Sequence, residues 1–67
     1  MRRIQLALDN EKDITSAVQT ILDNLDKDYY FEIFDRAIMH ALIDSLADNR
    51  IPFRMLSMAR CTMIEPY

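Results

Sequence analysis

The chain has one histidine and one cysteine, His40 and Cys61, and these are the side chains most easily recruited for chemistry. His40 stands four residues after Arg36 and four before Asp44. On a helix that spacing lines all three along one edge, where Asp44 could hold an imidazolium. A histidine general base also needs a nucleophile or a substrate pocket beside it, and no neighbouring motif indicates either. The reading that follows is a half-exposed histidine flanking the core. Cys61 adjoins Arg60, and a basic neighbour favours thiolate. In extended backbone, however, adjacent side chains point to opposite faces. Arg60 then turns away, and Cys61 reads as a buried structural cysteine.

The stretch "DNEKD" puts Asp9, Glu11 and Asp13 at the first three alternate positions of a calcium loop. Such a loop needs glycine sixth and glutamate twelfth. Here those places hold Ile14 and Thr20, so the stretch is a turn that leads into a helix cap at Asp13. Tyr29, Tyr30 and Phe31 form the one aromatic cluster. Stacking on nucleobases is one use of such a cluster; closing a core is the simpler one, with Tyr30 and Phe31 inward and Tyr29 exposed. The chain contains no glycine. A P-loop, a dinucleotide fingerprint and an EF-hand each need glycine where the backbone takes positive φ or approaches a ligand closely, so all are excluded in their usual form. No catalytic, cofactor-binding or metal-binding residues are predicted, and the chain reads as a non-enzyme.

The elements that position these residues follow from periodicity. Ile4, Leu6 and Leu8 alternate with Arg3, Gln5 and Ala7, which predicts a strand over 3–8. Ile14, Ala17, Val18, Ile21, Leu22 and Leu25 recur at helical spacing, which predicts a helix over 13–25. A second helix is predicted over 28–48 with Asp28 as its cap. Its main face is Tyr30, Phe34, Ala37, Ile38, Ala41 and Leu42, and a second apolar group, Met39, Ile43 and Leu46, lies off that face. One helix cannot cover both groups, so the second must meet a sheet, another subunit or a partner. Pro52 disfavours helical backbone at Ile51. Beyond it, 53–64 is read as a strand, with Phe53, Met55, Ser57, Ala59, Cys61 and Met63 in one row and Arg54, Leu56, Met58, Arg60, Thr62 and Ile64 in the other.

The whole, residues 1–67, reads as one small α+β domain of β-α-α-β order, a helical hairpin on a two-stranded sheet. The alternative is an all-α three-helix bundle. A chain of 67 residues builds a thin core, and two strands alone are marginal. Neither an internal disulfide nor a metal is on offer, which makes a homodimer or small oligomer the expected source of extra burial. With hydrophobic residues at 51% the composition is globular, and no apolar run approaches the ~20 residues of a membrane span. No membrane partner is expected, and a single free cysteine suits the cytoplasm.

Charge is segregated. Residues 9–48 hold ten acids against three bases, a balance of −7. The flanking segments hold five arginines against one glutamate, a balance of +4, and the two give the formal −3. The preferred functional reading is a small interaction or regulatory protein, of a type seen among bacterial or phage accessory proteins, that binds and modulates a partner protein. The expected interface residues are Met39, Ile43, Leu46, Met55 and Met58. One alternative is a nucleic-acid-binding transcriptional regulator that contacts phosphates through Arg2, Arg3, Arg54 and Arg60, although a pI near 4.8 disfavours it. Another is an inhibitor whose acidic helices mimic nucleic acid.

Overall fold

The structure, a computed structural model, describes residues 3–67. Its elements in order are β1 (Arg3–Gln5), α1 (Lys12–Asp23), β2 (Asp28–Ile33), α2 (Arg36–Asp48), β3 (Phe53–Ser57) and β4 (Thr62–Pro66). The strands form one sheet in the order β1-β2-β4-β3. β1 runs parallel to β2, while β4 runs antiparallel to both β2 and β3. The class is therefore α+β, but the order is β-α-β-α-β-β rather than β-α-α-β, and the described residues form two helices rather than three.

α1 obeys its sequence. Ile14, Ala17, Val18 and Ile21 are its buried residues, one stripe at the spacing i, i+3, i+4, i+7. The helix starts earlier than Asp13 would cap it, because the Asn10 side chain accepts the Lys12 N–H at 2.9 Å. Asp13 instead accepts the N–H of Asp9. At the far end the Asn24 amide donates to the Thr20 carbonyl, and the helix stops at Asp23. Leu25, expected on the helical face, lies beyond the end and is 74% exposed.

The helix expected over 28–48 is two elements. In β2 the side chains alternate: Tyr29, Phe31 and Ile33 are buried, while Asp28, Tyr30 and Glu32 are not. Aromatic and β-branched residues fit a pleated surface, and this run sits between β1 and β4 in the middle of the sheet. The strand parity reverses the expected roles of two tyrosines, so Tyr29 enters the core and Tyr30 faces outward. The cap of α2 is Asp35, not Asp28. Asp35 is extended (φ −98°, ψ 123°), and its carboxylate accepts the Ala37 and Ile38 N–H groups at 2.8 and 3.2 Å, an N-cap that stabilises a helix by about 1 kcal/mol.

α2 ends in a Schellman motif. The Arg50 N–H donates to the Ala47 carbonyl and the Ile51 N–H to the Leu46 carbonyl, at 3.0 and 2.9 Å. Arg50 takes the left-handed position, φ 57°, where glycine is usual and this chain has none. Ile51 and Leu46, the pair such a motif brings together, are both buried.

The strand expected over 53–64 is also two elements. Twelve extended residues would span about 40 Å, more than the molecule's longest dimension of 29 Å. The chain folds back instead through residues 58–61, closed by the Met58 N–H donating to the Cys61 carbonyl. Two-residue hairpin turns favour glycine, and this glycine-free chain uses a four-residue connection. Ser57 then pairs with Thr62 and Leu56 with Met63. The strand expected over 3–8 stops at Gln5; the Leu6 N–H still donates to the Tyr30 carbonyl at 2.9 Å, and Leu6 and Leu8 pack against the core.

The connections from β1 through α1 to β2 and from β2 through α2 to β3 run the same way across the sheet. Right-handed crossovers of this kind put both helices on one face. The core lies between them and the sheet, with Phe31, Leu42, Leu46 and Ile64 wholly buried. Among the described residues no helix lies over the opposite sheet face.

Candidate functional site

Two surfaces carry the residues of interest, one on each face of the sheet. On the face without helices, the strand registers bring Arg3 and Gln5, Tyr30 and Glu32, Met63 and Glu65, and Arg54 and Leu56 to the same side. Glu65 is the centre of this side. Only 8% of it is exposed, yet both carboxylate oxygens are engaged. Oε1 pairs with the Arg3 guanidinium, and Oε2 accepts from Arg54 Nε and Nη2 at 3.2 and 3.0 Å. Arg3 also lies over the Tyr30 ring, 5.4 Å from its centroid. The Glu65 carboxyl is held below its ordinary value mainly by the hydrogen bond from Arg3, then by Arg54, with desolvation pulling the other way. One carboxylate thus ties both edge strands to β4, a role its place in the sequence did not signal.

This arrangement separates the four arginines of the nucleic-acid reading. Arg3 and Arg54 converge on the single carboxylate of Glu65, which offsets one of their two charges. Arg60 sits in the β3–β4 connection and lines a groove shared with α2, on the helix side of the sheet. Arg2 lies outside the described residues.

The second surface is that groove. It is open, about 480 Å³ in volume, and runs between the start of α2 on one side and β3 with its turn on the other. Its apolar lining includes Phe34, Met39, Met55 and Met58, with buried Ile33 at its base. Three of these are among the most exposed large apolar residues of the chain: Phe34 at 72%, Met58 at 53% and Met55 at 44%. Asp35 positions Phe34 and Met39, because capping α2 fixes where the helix begins relative to Ile33 at the end of β2. The hairpin closure at Met58 and Cys61 positions the opposite wall.

Of the five residues expected at an interface, Met39, Met55 and Met58 meet in this groove. Ile43 is half-buried against the core instead. Leu46 is wholly buried within the chain and presents no surface to a partner. The formation of β2 explains both placements, since it gives the second apolar group of α2 a sheet to pack on. Phe34, the most exposed apolar residue of the groove, has a helical-face pattern in the sequence that hides this placement; the Asp35 that follows it, with its capping side chain, is the available signal.

His40 and Cys61 line the same groove. No hydrogen bond joins them among the described residues, and ion pairs form there only at Glu65, leaving Asp44 without the contact expected with His40. Among the described residues no cluster of histidine, cysteine, aspartate and glutamate could hold a metal ion, and no helix is long and apolar enough to cross a membrane. No protein-family model, curated protein or solved structure matches this chain.

Proposed function

We propose that this chain is a non-enzymatic interaction protein that binds a partner protein through the groove between α2 and β3 and modulates it. The observation that carries this reading is the gathering of Phe34, Met39, Met55 and Met58 at one opening, although they come from two stretches of the chain separated by most of α2. Exposed apolar groups that cluster mark contact sites more often than scattered ones do, and methionine side chains repack easily against varied partners. The nucleic-acid reading is weakened, since Arg3 and Arg54 share the carboxylate of Glu65, which offsets one of their two charges and would repel a phosphate beside them.

Self-association has its own surface. The sheet face without helices leaves Leu56 51% exposed next to half-buried Met63, its cross-strand partner. A homodimer or small oligomer formed there would leave the groove free. The four-stranded sheet is complete within one chain, so pairing would add burial on this face rather than strands.

The test is affinity capture from source cells with the wild-type chain beside a Phe34→Glu/Met58→Glu variant. Both positions are exposed, so the variant should keep its circular dichroism. A protein captured by the wild type and absent with the variant supports the reading. Equal capture by both removes the groove. Sedimentation of Leu56→Asp against wild type reports separately on self-association: a wild-type monomer at micromolar concentration would end the oligomer proposal. Duplex DNA bound with a steep salt slope, and lost on replacing Arg54 and Arg60, would favour the regulator instead.

A further inference from the structure

The groove has one wall that is not made of side chains. β3 lies at the edge of the sheet and pairs only with β4. Two bonds at the ends of this pairing set its phase. The Tyr67 N–H donates to the Pro52 carbonyl, and the Met58 N–H donates to the Cys61 carbonyl, each at 2.9 Å. Because backbone direction alternates along a strand, Arg54 and Leu56 share the orientation of Pro52 and Met58 toward β4. The N–H and C=O groups of Phe53, Met55 and Ser57 therefore point away from the sheet, to the open side. Met55 and Ser57 also line the groove. A free strand edge thus runs beside an apolar channel whose far wall is a helix.

A strand edge of this kind takes up extended chains by hydrogen bonding, while pockets beside it select alternate side chains. Edges left open are commonly shielded by short length or charge; each edge here carries one arginine, Arg3 or Arg54, bound to Glu65, but β1 has only three residues whereas β3 has five, of which Arg54 through Ser57 are exposed. The groove also has a sign. Two arginines, Arg36 and Arg60, stand around it against one carboxylate among the described residues, Asp35, whose oxygen is turned to the two amides it caps, a local balance of +1. In a chain of net charge −3 this is a local basic rim.

We infer that β3 accepts an extended segment of a partner protein as a fifth strand, and that this segment is apolar at its centre and acidic at its flanks. Its backbone bonds to Phe53, Met55 and Ser57. Its central apolar side chains enter the channel over Met55 and Met39. Its flanking carboxylates meet Arg36 and Arg60. This rests on the groove reading above and adds the form and charge of what enters.

The probe is a capped peptide of three valine–threonine repeats with two glutamates at each end, compared with its lysine-flanked counterpart and with a glutamate-rich amphipathic helical peptide. The glutamate-flanked strand peptide should bind, slow amide exchange at Phe53, Met55 and Ser57, and exceed the lysine peptide at least tenfold in affinity. That preference should fall in Arg36→Glu/Arg60→Glu. Met55→Pro removes one outward N–H while sparing the bonds to β4, a substitution edge strands tolerate; it should abolish binding, whereas Met55→Ala should only weaken it. No binding by the glutamate-flanked peptide at millimolar concentration overturns the inference, as does equal binding by the lysine peptide or preference for the helical one. In the capture experiment, a partner that survives Met55→Pro but is lost in Phe34→Glu/Met58→Glu keeps the groove and rejects strand addition. A partner that survives both rejects the groove itself.

Discussion

Arg50 offers a direct test of how this glycine-free chain ends its second helix. The residue sits at φ 57°, and a left-handed backbone costs a residue with a Cβ roughly 1–2 kcal/mol. Glycine has no such penalty, but it gives the unfolded chain more freedom, worth about 0.4–1 kcal/mol in the other direction. From backbone conformation alone Arg50→Gly should therefore gain about 0.5–1 kcal/mol. Arg50 also lies just past the C-terminus of α2, where a positive charge is favourable by about 0.3–1 kcal/mol; glycine forfeits that, so the glycine variant should lie close to wild type in stability. Arg50→Ala separates the two effects, since it removes the charge and keeps the Cβ. The glycine variant should exceed the alanine variant by about 1 kcal/mol. For a domain of this size that difference moves the melting temperature by about 4–8 °C. It is a sizeable share of a total stability of roughly 3–10 kcal/mol. Thermal and urea unfolding followed by far-ultraviolet circular dichroism measure it. An alanine variant as stable as the glycine variant would refute the argument, because the Cβ would then cost nothing at this position.

Other outcomes follow from the same structure. Leu46→Ala should cost about 2–5 kcal/mol as a core cavity, while Met58→Ala, at an exposed turn position, should stay within about 0.5 kcal/mol; similar losses in urea unfolding would put Leu46 back at a surface. Asp35→Ala should cost about 1 kcal/mol and speed amide exchange at Ala37 and Ile38, its two bonded donors; unchanged exchange there would remove the cap. Glu65 should titrate below its ordinary value near 4.5, with Arg3 as the main cause. Because its folded pKa is the lower one, its stabilisation is complete above the unfolded value and is lost as the pH falls through the folded value. A carboxyl-carbon titration by NMR with its midpoint at or above 4.5 would contradict the Arg3 and Arg54 contacts, and Glu65→Gln should flatten the acid limb of the stability profile.

Local pattern decided some of this molecule outright. The stripe Ile14, Ala17, Val18 and Ile21 has a single helical reading, and α1 buries those four residues. The absence of glycine ruled out phosphate loops and, with them, whole classes of chemistry. The segregated charge was visible too, but its meaning was not. Arg3, Arg54 and Glu65 are far apart in sequence, and only the sheet order brings both arginines to one carboxylate. The run "DYYFEIFD" fits a helical face as well as a pleat. Its identity as β2 depended on β1 and β4 being present on either side to bond it. The residues 53–64 were legible as extended, since Phe53 through Ser57 and Thr62 through Ile64 are strand, yet the reversal between them is set by the register with β2. Strand pairing joins residues distant along the chain, so parity within one segment cannot say which face a neighbour will cover. For the same reason Met39, Met55 and Met58 could be singled out as exposed apolar candidates from the sequence. Only the tertiary structure brought them to one groove with Phe34 and buried Leu46 behind it.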